Sequence, residues 1–382
     1  MTRIVDDLPA KSSCPARAIR IVGSGTFPVR TSGGTIVMAA RPRAKTPTIL
    51  DIAAEAGVSK SAVSRALRGS DDVSPESRAK VERAAKKLGY VANAMARGMR
   101  TSSRTLGVVL RDVKRPYYAW LQAAMQQEAE SRGYQAVTMT SVGELEVADA
   151  LRALRSLISL QVVGLVIASA RLPSEEIVPF IDRVPIVVAG RKETDLGITS
   201  VFCDDADGGR MLAEHLLALG HRRIAVALVE QAYSLSQHAR GAAMIDTIRG
   251  AGGEAVAWPV PSDMRAGEVV AARVGDTDVT AIMCPTDTAM MDVLDVLRQR
   301  GRSVPGDYAV TGYDGFGPLS APYLGLTTFR QPVEEIGRMS IALLVDKIEG
   351  RSSHDSLVSL RGTVVAGRTA GPAAFAPLAT AD

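Results

Sequence analysis

From Leu106 onward, short β-branched runs alternate with stretches of helical period through most of the remaining chain. Strands are expected over 106–110, 135–139, 163–168, 186–189, 224–228, 281–284 and 308–311. Helices are expected over 118–132, 146–160, 207–219, 239–251, 287–300 and 333–349. A βαβ repeat of this kind demands parallel strands wrapped by helices, and ligands of such sheets sit beyond the carboxyl ends of the strands. This predicts an α/β body.

Ahead of the body, residues 48–67 read as two short helices joined by a tight turn. Thr48 is placed to cap the first, with Asp51 three residues on, and Ile49, Ile52, Ala53 and Ala56 share one apolar face. Gly57 supplies the backbone freedom of the turn, Val58 fills the angle, and Ser59 caps a second helix starting at Lys60. Val63, Ala66 and Leu67 recur inward, while Lys60, Ser61, Ser64 and Arg65 point outward as donors for bases and phosphates. Ala62 offers an apolar contact, for example to a thymine methyl. A third helix follows from the Ser74-Pro75 start to Gly89.

Charge separates this arrangement from an ordinary amphipathic module. Between Arg41 and Thr105 stand fourteen Lys and Arg against six Asp and Glu, whereas the whole chain has a surplus of only four positive charges. A basic head on a slightly acidic body is the electrostatic footprint of a phosphate-binding unit, here for double-stranded DNA. Cys14, Cys203 and Cys284 show neither metal-ligand spacing nor an even disulfide framework, so no metal or cofactor is expected. His215, His221, His238 and His354 are scattered and form no nucleophile–base pattern, which argues against an enzyme. Absence of a membrane-length apolar run and of a secretory pattern predicts a cytoplasmic protein.

Thr48-Ile-Leu-Asp-Ile-Ala-Ala-Glu-Ala-Gly-Val-Ser59, Val63-Ser-Arg65, Val73-Ser-Pro-Glu-Ser-Arg78, Leu88-Gly-Tyr90 and Asn93-Ala-Met-Ala-Arg97 resemble the head of the lactose-repressor (LacI/GalR) family of bacterial transcription regulators. Ala218-Leu-Gly-His-Arg-Arg-Ile-Ala225, Thr286-Asp287, Gly312-Tyr-Asp314 and Thr327-Thr-Phe-Arg-Gln-Pro332 resemble the core of the same family. The resemblance implies an N-terminal all-α helix-turn-helix DNA-binding domain (46–92) and a hinge helix and linker (93–104). An α/β periplasmic-binding-protein-like core (105–368) of two Rossmann-like subdomains follows. One subdomain takes 105–203 and 331–359, the other 204–330 and 360–368, with crossings near Cys203, Gln331 and Leu360. Residues 1–44, with a candidate true start at Met38, are expected as a disordered extension, and 369–382 as a disordered tail.

The resemblance also implies the sites. Asn93, Arg97 and Arg100 would contact the minor groove or phosphate, with Met99 in place of the usual leucine lever; an exposed linker methionine is the other reading. Tyr117, Tyr118, Arg191, Arg240, Thr286 and Asp314 would line an effector cleft between the subdomains, suited to a small polar ring such as a sugar or sugar acid. The other readings are core packing for Tyr118, a structural carboxylate partner for Arg240, and helix capping for Asp287. Thr286 stands where Asn is usual, Gly190 where some sugar binders carry Asp, and Gly315 where a second Asp is common, which leaves the sugar open. The implied function is a repressor that binds a pseudo-palindromic operator as a homodimer under allosteric effector control. The stripe Ile341, Leu344, Val345 and Ile348 is compatible with either a dimer face or core. The alternative is a solute-binding protein of a transport system, which shares the cleft architecture.

Overall fold

The computed structural model describes residues 47–67, 70, 72–88, 104–141, 146–193, 197–275, 277–351 and 357–373. The expected extension at 1–44, the hinge residues Asn93, Arg97, Met99 and Arg100, and the chain beyond 373 lie outside the described residues. The described residues fall into two compact units, separated between Val91 and Ala92.

Among its described residues the first unit has three helices: α1 Ile49–Ala56, α2 Lys60–Leu67 and α3 Pro75–Leu88. Thr48 and Asp51 form a reciprocal capping box, and Gly57 ends α1 in the left-handed region at φ 64. Ser59 Oγ accepts from the Ala62 amide at 3.1 Å and so caps α2. Ile52, Val63, Ala66, Val73, Val81 and Ala84 form the small core. Lys87 Nζ reaches Glu55 Oε1 at 2.7 Å and ties α3 to α1.

The second unit contains two six-stranded sheets. The first has the order β11 (Leu357–Leu360), β5 (Thr199–Cys203), β4 (Ile186–Ala189), β3 (Gly164–Ala168), β1 (Thr105–Asp112), β2 (Gln135–Ser141), all parallel. The second has the order β12 (Thr363–Val365), β10 (Thr327–Arg330), β9 (Ala309–Asp314), β8 (Ala281–Met283), β6 (Arg223–Val229), β7 (Glu254–Val260), with only β12 antiparallel. The chain passes between sheets after β5, after β10 and between β11 and β12.

Strands buried on both faces explain the continuous apolar runs. In β1, Leu106, Val108 and Leu110 join the central core, while Val109 faces the outer cluster with Leu154, Leu157 and Phe180. In β6, Ile224 and Val226 share that central core, and Ala225, Ala227 and Val229 pack outward against Trp258 and Val270. One apolar core therefore runs through both lobes. Ile341, Leu344 and Val345 belong to it, so this stripe is core. Ile348 is packed against it.

The helix Val333–Ile348 lies against the helix Pro116–Ser131 at Gly337. A Cβ there would stand 2.8 Å from the Leu121 carbonyl oxygen and 2.9 Å from Ala124 Cβ. Neither neighbour is a flexible side-chain end, so Gly337→Val must part the two helices. A loss of about 2–3 kcal/mol is expected in urea denaturation, and an unchanged midpoint would show that the helices tolerate the separation.

Residues 369–373 correct one expectation. Thr369 is buried, its hydroxyl accepts from the Thr327 amide at 2.9 Å, and its carbonyl accepts from Val310 at 2.7 Å. Gly371 O lies 3.0 Å from His221 Nε2, and the Ala373 amide donates to Leu219 O at 2.9 Å. Backbone pairing, invisible in an Ala/Pro/Gly-rich composition, keeps this segment on the second lobe.

Candidate DNA-binding face and effector cleft

On α2, Lys60, Ser61 and Arg65 are exposed, Ala62 and Ser64 half-buried, and Val63 and Ala66 buried. Lys60 and Arg65 have no ion pair among the described residues, leaving both cations open to an external anion. Thr48 and Ser59 are committed differently: their hydroxyls are engaged in the caps of α1 and α2.

In the second unit, a cleft of about 410 Å³ opens where strands of both sheets end. Asp112, Ala170 and Gly190 close or follow β1, β3 and β4; Val229, Pro285 and Asp314 close or follow β6, β8 and β9. The cleft therefore occupies the place that parallel α/β topology reserves for ligands. Tyr117, Tyr118, Arg240, Thr286 and Asp314 all line it.

Arg240 organises the floor. Its Nε and Nη2 donate to Asp205 Oδ1 at 3.0 and 2.7 Å, and Nη1 donates to the Pro285 carbonyl at 2.9 Å. Asp314 Oδ1 lies 3.7 Å from Nη1, and the guanidinium stacks 3.7 Å from the Tyr313 ring centroid. Arg240 thus lines the cleft and also takes the structural carboxylate partner Asp205. Burial works against its charge, but Asp205, Tyr313 and Asp314 outweigh that and hold its pKa above the ordinary value.

Three carboxylates, Asp287 buried and Asp205 and Asp314 partly buried, surround this single cation. Burial pushes Asp314 up to about 7, opposed by Arg240 and reinforced by Asp287. Asp287 rises to about 6 through burial, although the Thr328 hydroxyl (2.6 Å) and the Gly315 amide (2.7 Å) both donate to it. Burial also raises Asp205, against the pull of Arg240. Asp314 itself adopts φ 121, uncommon for a residue with a side chain. Gln331 fastens it by donating from its amide nitrogen to Asp314 O and from Nε2 to Asp314 Oδ1, each at 2.9 Å.

Thr286 lines the cleft, but its hydroxyl accepts from the Ala289 amide at 3.1 Å as the N-cap of the helix Asp287–Gln299. Capping therefore falls to Thr286, and Asp287 instead knits β9 to β10. Tyr117 meets Tyr118 edge-on at 5.3 Å and Phe316 at 6.1 Å. Tyr118 is buried in the central core while still bordering the cleft. Gly190, at φ 85, makes room for Tyr117: a Cβ there would stand 2.5 Å from the tyrosine hydroxyl.

Arg191 departs from its expected place. It is absent from the cleft lining and only 3% exposed, with Nη2 2.6 Å from Glu193 Oε1. A buried guanidinium needs a counter-charge, and Glu193 supplies it two residues away. Conversely, Asp205, Gln331, Arg115 and Tyr233 belong to the site or its neighbourhood and were not singled out from the sequence. Only the alternative of a carboxylate partner for Arg240 hinted at Asp205.

Cys203 and Cys284 are buried and unpaired, and burial pushes the Cys203 thiol up to about 12. No group of metal-ligating side chains occurs among the described residues, and none of their helices is long and apolar enough to cross a membrane.

Residues 48–93 match the family described as bacterial regulatory proteins, lacI family, and residues 213–370 match the periplasmic binding protein-like domain. The chain is 33% identical over 331 residues to the HTH-type transcriptional regulator CelR of Thermobifida fusca, covering 81% of this chain and 94% of the relative. It is 27% identical to the ribose operon repressor of Haemophilus influenzae, covering 83% and 97%. Among solved structures, it resembles the Lac repressor dimer bound to operator and the anti-inducer ONPF, with a TM-score of 0.74 and 25% identity over 86% of this chain and all of that one. It also resembles the CelR–cellobiose complex, with a TM-score of 0.60 and 29% identity over 85% and 99%. With its trihelical head and its two-sheet core, the chain belongs to the LacI family of bacterial regulatory proteins.

Proposed function

We propose that this regulator is a repressor that binds a pseudo-palindromic operator as a homodimer and releases or tightens its hold when a small carbohydrate occupies the interlobe cleft. It acts in the cytoplasm, where operator DNA resides, and carries out no catalysis. The observation that supports the reading most directly is the pairing of an open cationic face on α2 with a cleft built at the strand ends of two sheets. Two-fold symmetry would present identical α2 helices to successive major grooves, which calls for an inverted repeat.

Most charges lining the cleft are paired, Lys114 excepted, which suits a polar ring. Arg240 is balanced by Asp205 and Asp314, Asp112 lies 3.8 Å from Arg115, and Asp292 lies 3.9 Å from Arg265. The lining combines Tyr117, Tyr118 and Tyr233 with Ser234, Ser236 and Ser262. The volume falls in the range of roughly 300–1,000 Å³ typical of small-molecule sites. Control then requires only that the ligand prefer one lobe arrangement.

DNase I footprinting across the DNA upstream of the chain's own gene and its neighbours tests this reading. A protected inverted repeat is expected, with protection altered by cellobiose, ribose or another sugar from a panel of mono- and disaccharides. Folded protein that protects no inverted repeat would remove the operator assignment. Protection insensitive to every sugar that binds the protein would remove the coupling.

A further inference from the structure

Contacts from the first lobe converge on one turn of the second. Tyr233 immediately precedes the Ser234 cap of the helix Leu235–Gly250. Its ring faces two guanidinium groups of the opposite lobe, Arg111 at 4.6 Å and Arg115 at 5.5 Å from the centroid. Arg115 Nη2 also donates to the Tyr233 hydroxyl. The next residues extend the attachment: the Leu235 amide donates to Ala170 O at 3.2 Å, and Ser236 Oγ donates to Gly190 O at 3.3 Å. Residues 233–236 thereby touch the lobe opposite at the ends of β1, β3 and β4.

Each part has a physical reason to hold. Arg111 is 1% exposed, so its charge is preorganised and already stripped of water, the setting in which a cation over an aromatic face binds most strongly. Asp112, 3.8 Å from Arg115, offsets the repulsion between the two arginines. The same turn walls the ligand site, because Arg115, Ala170, Gly190, Tyr233 and Ser236 all line the cleft.

We propose that residues 233–236 form an interlobe clip in which Tyr233, held by Arg111 and Arg115, fastens the two lobes to each other. Because Tyr233 and Ser236 also line the cleft, a ligand bound there meets the clip itself. The clip consists of this chain's own groups alone, so it does not depend on the identity of the ligand.

One amide reports the clip directly. Leu235 is the first residue of its helix, where an amide has no partner within the helix, and its acceptor, Ala170 O, lies on the other lobe. Hydrogen exchange of the ligand-free full chain should show Leu235 protected in the wild type. Tyr233→Ala should accelerate exchange at Leu235 at least tenfold with Met244 and Ile248 unchanged, and Tyr233→Phe, which keeps the ring, should accelerate it less. Trp120, whose Nε1 would lie 2.9 Å from a Cβ at Gly317 in the other lobe, supplies the second reading. Parting of the lobes should make its fluorescence more accessible to acrylamide. Unchanged exchange at Leu235, or faster exchange without greater Trp120 quenching, which means local fraying alone, would overturn the proposal. Arg115→Gln gives the same readings should Tyr233→Ala fail to fold.

Discussion

Arg240→Met is expected to cost the core about 3–5 kcal/mol at pH 8, the range for leaving a buried ion pair without one partner. The side chain is almost wholly buried and sits among Asp205, Asp314 and Tyr313. Removing it strands the carboxylates. Asp314 and Asp287, at about 7 and about 6, already lie above the ordinary value of 3.8. Folded protein therefore binds more protons than unfolded protein between about pH 4 and 7. Stability from these groups is greatest on the acid side and is lost as pH rises through their folded pKa values. Loss of the Arg240 charge raises both further, so the deficit of the variant should narrow as pH falls from 8 to 5.5. Arg240→Lys, which keeps the charge but not the planar fork, should fall between. Urea denaturation at the two pH values decides it, and equal stability of wild type and Arg240→Met at pH 8 would refute the electrostatic account.

Arg65→Ala should weaken operator binding by about a hundredfold or more while leaving the core's melting behaviour unchanged. A side chain that reads a base edge is worth about 1–3 kcal/mol, and a dimer loses it twice. Arg65 is exposed on α2, without an ion pair among the described residues, and its loss removes no structural partner. Asp314→Asn should do the opposite: operator affinity without ligand stays near wild type, and the response to a cleft-binding sugar falls away. Gel-shift titrations with and without sugar, at fixed salt, separate the two. Loss of both functions in both variants would contradict a division of labour between head and cleft.

Much of the architecture was legible because it rests on local rules. The helix expected over 287–300 spans Asp287–Gln299, and the strand expected over 186–189 spans Ile186–Ala189. The helix expected from 239 begins at Leu235, because Ser234 caps a polar first turn that carries little apolar period. β7 was unreadable for another reason: it is an edge strand containing Pro259, a residue that argues against a central strand. β11 and β12 are short, and their pairing depends on chain returning from far away.

Side-chain commitments at the site were less legible. Tyr117, Tyr118, Arg240, Thr286 and Asp314 share one cleft, but family resemblance, not periodicity, pointed to them. Thr286 is placed there with its hydroxyl already used, and Arg191 is turned to Glu193. The sequence alone determined the caps and apolar faces of the head helices, the basic head and the alternating elements, since each depends on residues within a few positions of one another. Only the tertiary structure decided which charges meet. Arg240 finds Asp205 thirty-five residues away, and Tyr233 finds Arg115 at a separation of 118. Such partners are chosen by where parallel strands end and how two lobes close, and no local spacing encodes that.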